Sequence, residues 1–144
     1  MSDPAPRRPS STGLRLADLN KTYHPINGVV ETAFVTALDA STVEVAERIF
    51  FETVGEDRVT IWFVNAIAGH DLKSDAAVSM GRFVARVREC GCSHLILATP
   101  NANFQMLFRS IMLSISMHLE VFPTLEKANE LLTSLREQRK REQR

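Results

Sequence analysis

Cysteine is nearly absent. The 144-residue chain has two, Cys90 and Cys92, standing two positions apart and unable to staple distant segments. Nothing points to an oxidising compartment, so a cytoplasmic location is expected. Glycine and proline number six each, too few for a collagen-like or wholly disordered chain. Neither sign of charge is in excess, Lys+Arg and Asp+Glu both totalling 17, so no overall positive field recruits nucleic acid. Long apolar runs are missing too. The richest, Met106 to Met117, is about a dozen residues broken by Arg109, short of the roughly 20 that span a bilayer. Arg7 and Arg8 are interleaved with Pro and Ser where an export signal would turn apolar. The nucleotide and acyl-transfer signatures GxxxxGK(S/T), GxSxG and GxGxxG are absent, which argues against an enzyme.

What is present is enough for one domain with its own core: 44% hydrophobic and 24% charged residues. Residues 1–16, rich in Pro, Ser and Arg and without apolar period, predict an unpacked tail. Ala17 to His24 and Val29 to Thr36 flank Pro25-Ile26-Asn27-Gly28, and Asn-Gly supplies the positive φ of a hairpin turn. Ser41 precedes Glu44 at capping-box spacing and opens a helix to about Gly55, with Val43, Ala46, Ile49, Phe50 and Val54 on one face. Arg58 to Asn65 and His94 to Thr99 are apolar runs without alternation, which predicts central strands covered on both faces. Between them, Ala76, Ala77, Met80, Phe83, Val84 and Val87 trace a helix ending near Gly91. A third helix follows Pro100 and Asn101, along Phe104, Leu107, Phe108, Ile111 and Ile115. Leu119 to Phe122 is a short strand, and Thr124 caps a helix from Leu125 into the charged C-terminus, residues 136–144. The order ββαβαβαβα predicts an α/β fold: a mixed sheet with parallel central strands, right-handed crossovers, the opening hairpin on one side and helices packed on the sheet.

Three stretches carry a family resemblance: VNAIAGHDLKSDAAVSMGRFVARVREC, HLILATPNANFQMLFRSIMLSI and LEVFPTLEKANELL. With the element order from residue 17 to 135, they resemble the STAS domain, the module of anti-sigma factor antagonists and sulfate transporter tails. The layout is also similar to STAS-like bacterial proteins that lack the full phosphorylation motif. The resemblance implies a non-catalytic protein-interaction module in bacterial regulation, without cofactor. Its partner would be a kinase-like or anti-sigma-like protein, met through Gly69, His70, Asp71, Lys73, Ser74 and Asp75, with Ser74 as phosphoacceptor. The chain departs from the family pattern where antagonists read Asp-Ser-Ser-Gly. Here Lys73-Ser74-Asp75-Ala76 keeps the first serine and replaces the second with a carboxylate, a standing negative charge that needs no kinase.

Each candidate residue also has a plain structural reading. Ser74 precedes a helix and serves as its N-cap. His70, Asp71 and Asp75 share a loop, but without a fourth group they read as solvated rather than as a metal or acid–base site. Cys90, Cys92 and His94 lack the second ligand pair of a zinc site and read as packing. Met106, Met112 and Met117 suit a core, although Met106, Met112 and Leu113 leave the third helix apolar on a second face. That face suggests self-association as an oligomeric scaffold, or a lipid-like ligand. Charge is uneven locally: seven acids and one base lie between Glu31 and Asp57, and Arg82, Arg86 and Arg88 follow on the next helix. These blocks are solvated faces or pair between chains. The REQRKREQR tail carries glutamates and no aromatics, which weighs against a nucleic acid or membrane partner.

Overall fold

The structure, a computed structural model, describes residues 21–26, 28–35, 37–68 and 71–142. The expected tail, residues 1–16, lies outside them, as do 17–20 of the expected first strand. Ile26 stands opposite Val29 in an antiparallel pair, with Gly28 at φ 80° between them. The strand therefore runs on through Pro25, and the turn is shorter than the four residues expected. Proline is tolerated there because the strand is at the sheet edge, next to a register shift between Tyr23 and Ile26.

This hairpin, β1 (Lys21–Ile26) and β2 (Val29–Ala33), is followed by α1 (Ala40–Val54), β3 (Ile61–Asn65), α2 (Ala76–Glu89), β4 (His94–Ala98), α3 (Ala102–Ile111), β5 (His118–Phe122) and α4 (Leu125–Glu142). The described residues thus run ββαβαβαβα, the order expected. The sheet order is β1-β2-β3-β4-β5, with β2 to β5 parallel. The two apolar runs, β3 and β4, are adjacent, parallel and flanked on both sides, as expected. Their side chains alternate between two cores. Trp62, Val64, Leu95 and Leu97 join Val43, Phe50, Met80, Phe83, Phe104 and Phe108 from α1, α2 and α3. Ile61, Phe63, Ile96 and Ala98 meet Ala128 and Leu132 of α4. The three crossovers from β2 to β5 all step in one direction, so right-handed connections put α1, α2 and α3 on the same face. The other face is left for α4. No helix among the described residues is long and apolar enough to cross a membrane.

Three local expectations are corrected. The cap of α1 is Asp39, not Ser41. Asp39 has the extended backbone (φ −130°, ψ 177°) that aims a side chain at the first turn, and its carboxylate accepts from the Thr42 N–H at 2.8 Å. The Thr42 hydroxyl completes the box by accepting from the Asp39 N–H at 2.9 Å, and Ser41 lies exposed inside the first turn. Second, α3 stops at Ile111, because the N–H groups of Leu113 and Ser114 reach back three residues to Ser110 and Ile111. Met112, Leu113 and Ile115 are therefore beyond the helix. Third, part of the acidic block pairs within the chain. Glu47, nearly buried, accepts from Arg86 of α2 at 2.5 Å, and the Arg86 guanidinium lies 4.2 Å above the Phe51 ring.

The chain's single tryptophan, Trp62, sits between Phe50 and Phe83, with ring centroids 5.4 and 4.7 Å away. Its Nε1–H donates to Thr32 Oγ1 at 2.9 Å, entirely out of water. Thr32→Val keeps the shape and orphans that donor, so it should cost about 1–3 kcal/mol. In a Trp62→Phe background, which has no donor to orphan, the same change should cost markedly less. Urea unfolding followed by circular dichroism compares the two.

Candidate functional site

The segment that opens α2 is built by the C-terminal ends of β2 and β3. Beyond the sheet, the loops after these strands meet again. The Leu38 N–H donates to Asp71 O and the Lys73 N–H to Leu38 O, both at 2.8 Å, making a parallel bridge between Leu38 and Leu72. Leu38 is buried and Leu72 half-buried, so an apolar contact anchors the bridge. Lys73, Ser74 and Asp75 then stand exposed in a row before α2 turns into the core at Ala76.

Of the six residues the resemblance assigns to a partner surface, Asp71, Lys73, Ser74 and Asp75 are brought together here. Gly69 and His70 lie outside the described residues. Asp71 pairs with Lys73 at 3.1 Å, both about half exposed. The Asp75 carboxylate does not cap its own helix. It accepts instead from the Ala40 N–H, the first amide of α1, at 3.1 Å. The N-cap reading of Ser74 is overturned: Asp75 holds the cap position, and the Ala76 N–H goes to Lys73 O. The Ser74 hydroxyl makes no hydrogen bond among the described residues. One turn into α2 from this row, Val78 is 72% exposed.

The cysteines divide. Cys90 is exposed, whereas Cys92 is buried and its thiol donates to His94 O at 3.2 Å. Burial pushes the Cys92 thiol up to about 11 from 9.0. A zinc or redox thiol needs the opposite shift, so Cys92 acts as packing. The rings of His94 and His118 meet across β4 and β5, 5.2 Å apart, and His118 pairs with Glu120 at 2.5 Å. The meeting of the two histidines escaped the sequence because it depends on strand register. Among the described residues, no group of three His, Cys, Asp or Glu is placed to hold a metal ion.

Met106 is 65% and Leu113 89% exposed, while Met112 and Met117 pack partly against the main core. The second apolar face therefore shrinks to Met106 on α3 and Leu113 in the turn after it. Between α1 and α2 runs a groove of about 520 Å³, in which Glu44, Glu47 and Glu52 face Arg48, Arg82 and Arg86 over Phe51. Sequence reasoning missed it, having paired the two charge blocks only between chains.

Open parallel sheets bind ligands where neighbouring strands send their helices to opposite faces, which here is between β4 and β5. At that crevice the chain makes hydrogen bonds of its own. The Thr99 N–H donates to Phe122 O at 2.9 Å, Asn101 takes the Asn103 and Phe104 amides, and Thr124 takes the Lys127 amide at 3.3 Å. Compared with known proteins, the chain matches no family model and no curated protein.

The Cys92 shift carries a pH prediction. Its thiol ionises near 9.0 in the unfolded chain and near 11 in the folded one, so folding favours the neutral form. Its contribution to stability is intact below about pH 9 and falls away as pH rises towards 11, a loss on the order of 2 kcal/mol. Denaturant titrations across that range should show a shallower fall for Cys92→Ala than for the unsubstituted chain.

Proposed function

We propose that this chain is a non-catalytic, STAS-like interaction module of cytoplasmic bacterial regulation, meeting a kinase-like or anti-sigma-like protein through residues 71–77, as anti-sigma factor antagonists do. The observation that carries this reading is the exposed row Lys73-Ser74-Asp75, tied at its first residue by a backbone bond to Leu38, just ahead of α1, rather than left as a free loop. A preordered polar row loses little entropy on binding, and Val78, one turn further along α2, offers apolar contact. At the crevice between β4 and β5, where this kind of sheet would hold a substrate, Asn101 and Thr124 already take three of the helix-opening amides. Ser74 is the position at which phosphorylation would regulate the contact.

The test takes the protein captured by the immobilised chain from an extract of its own cells and measures its affinity for three variants. Ser74→Glu should bind more than tenfold more weakly, since an unpartnered charge desolvated at an interface costs about 2–5 kcal/mol. Ser74→Ala should bind normally and stay within about 0.5 kcal/mol in stability, because its hydroxyl caps nothing. Lys127→Glu, exposed on α4, is the remote control. Equal affinities for Ser74→Glu and the unsubstituted chain would reject the 71–77 surface.

The exposed Met106 and Leu113 favour a second reading, an oligomeric scaffold or a carrier of an apolar small ligand. Native mass spectrometry separates these: a dimer abolished by Leu113→Glu marks the scaffold, and added mass on a monomer marks the carrier. A bare monomer at all concentrations rejects both.

A further inference from the structure

Three carboxylates gather where the loops after β2 and β3 join, and they are held unequally. Asp39 is locked in its capping box with Thr42. Asp71 is paired with Lys73 at 3.1 Å. Asp75 is held by one hydrogen bond, Oδ1 accepting from the Ala40 N–H at 3.1 Å in an exposed position. Immediately before it stands the exposed Ser74 hydroxyl.

We propose that Asp75 is a latch tying the 71–75 loop to the first turn of α1, and that a negative charge added at Ser74 releases it. The inference deepens the regulatory reading and rests on it for its biological consequence; the latch itself belongs to the isolated chain. In the regulated form, a kinase moves a phosphoryl group from a nucleoside triphosphate to Ser74 Oγ. The hydroxyl proton leaves and the nucleoside diphosphate is released.

Two effects act on the added charge, and both unseat Asp75. Repulsion falls on the nearest carboxylates: the charge of Asp71 is offset by Lys73, whereas Asp75, next in the chain to Ser74, has one exposed hydrogen bond and no ion pair among the described residues. Attraction to the positive end of α1 draws the new anion towards the Ala40 amide, where a phosphate offers more charge and more acceptor oxygens than one carboxylate. Whether pushed or displaced, Oδ1 leaves the Ala40 N–H. The bonds from Leu38 to Asp71 and from Lys73 to Leu38 are backbone bonds that carry no charge, so they keep the loop in place. Release is confined to the corner at Ser74 and Asp75. Asp75 is in this sense a positioning residue.

The experiment follows the Ala40 amide resonance by NMR in the isolated full chain. In the unsubstituted protein, Asp75→Ala should shift that resonance and speed its exchange with solvent about tenfold, whereas Asp75→Asn, which keeps an acceptor oxygen, should stay within about threefold. In a Ser74→Glu background the latch is already open, so adding Asp75→Ala should produce less than about a quarter of its usual shift. A Ser74→Gln background, similar in size and uncharged, should preserve the full shift. Two results overturn the proposal: a full Asp75→Ala shift in the Ser74→Glu background, or no shift at Ala40 in the unsubstituted one. Neither depends on a partner, so failure of the 71–77 contact surface in affinity measurements is a separate outcome.

Discussion

Four consecutive buried residues, Ile61 to Val64, impose the constraint on which the molecule depends. A strand with no wet face must be covered on both sides. The right-handed rule sends α1, α2 and α3 to one side as the chain winds from β2 to β5, and a single helix, α4, remains for the other. Trp62 is the centre of the thicker side, and the hydroxyl of Thr32 satisfies its indole N–H. The position of the 71–75 row follows from this winding. It lies beyond the C-terminal ends of β2 and β3, where two successive crossovers leave for the same face and their loops run side by side.

The charges obey the same geometry. Winding brings α1 and α2 together, so the acidic α1 meets the basic α2 within one molecule. Glu47 is nearly out of water and half-exposed Arg86 is its compensation, with the Phe51 ring beneath the guanidinium. Asp75, just before α2, likewise serves the neighbouring helix, its carboxylate accepting from the first amide of α1 instead of capping α2. A carboxylate placed on the first amide of a helix is favourable wherever it comes from in the sequence. Asp75 therefore has a structural use inside the chain as well as a charge outside it.

Apolar period and turn chemistry were legible from the residues. RVTIWFVN and HLILAT announced doubly covered strands, and Gly28 announced the hairpin. Capping was harder to read. Ser41-x-x-Glu44 and Asp39-x-x-Thr42 both fit a cap, and only the backbone angle of Asp39 decides between them. Ser74 failed as a cap because the Lys73 carbonyl took the amide it would have used. The third helix was drawn too long because Ile115 keeps the helical interval by coincidence after the chain has tightened at Leu113. The candidate site was legible as a stretch of sequence, 71 to 75, but its attachment to Leu38 and Ala40 was not. Contacts over some 35 residues leave no local pattern.

Where a partner of the proposed kind would engage this chain turns on which polar groups remain unspent. Between β4 and β5, Asn101 and Thr124 already take the Asn103, Phe104 and Lys127 amides, so a molecule that used those amides would have to break two caps, at about 1 kcal/mol each. In the groove between α1 and α2 three carboxylates face three guanidiniums, and a charged ligand meets repulsion with every attraction. At residues 73 to 75 the Ser74 hydroxyl is free of described partners and the backbone beneath it is already ordered. A protein docking there displaces only water from Ser74 and gives up no internal cap at that residue. The preference for this surface is thus one of lowest cost, and it holds without any appeal to the strength of the contacts a partner would add.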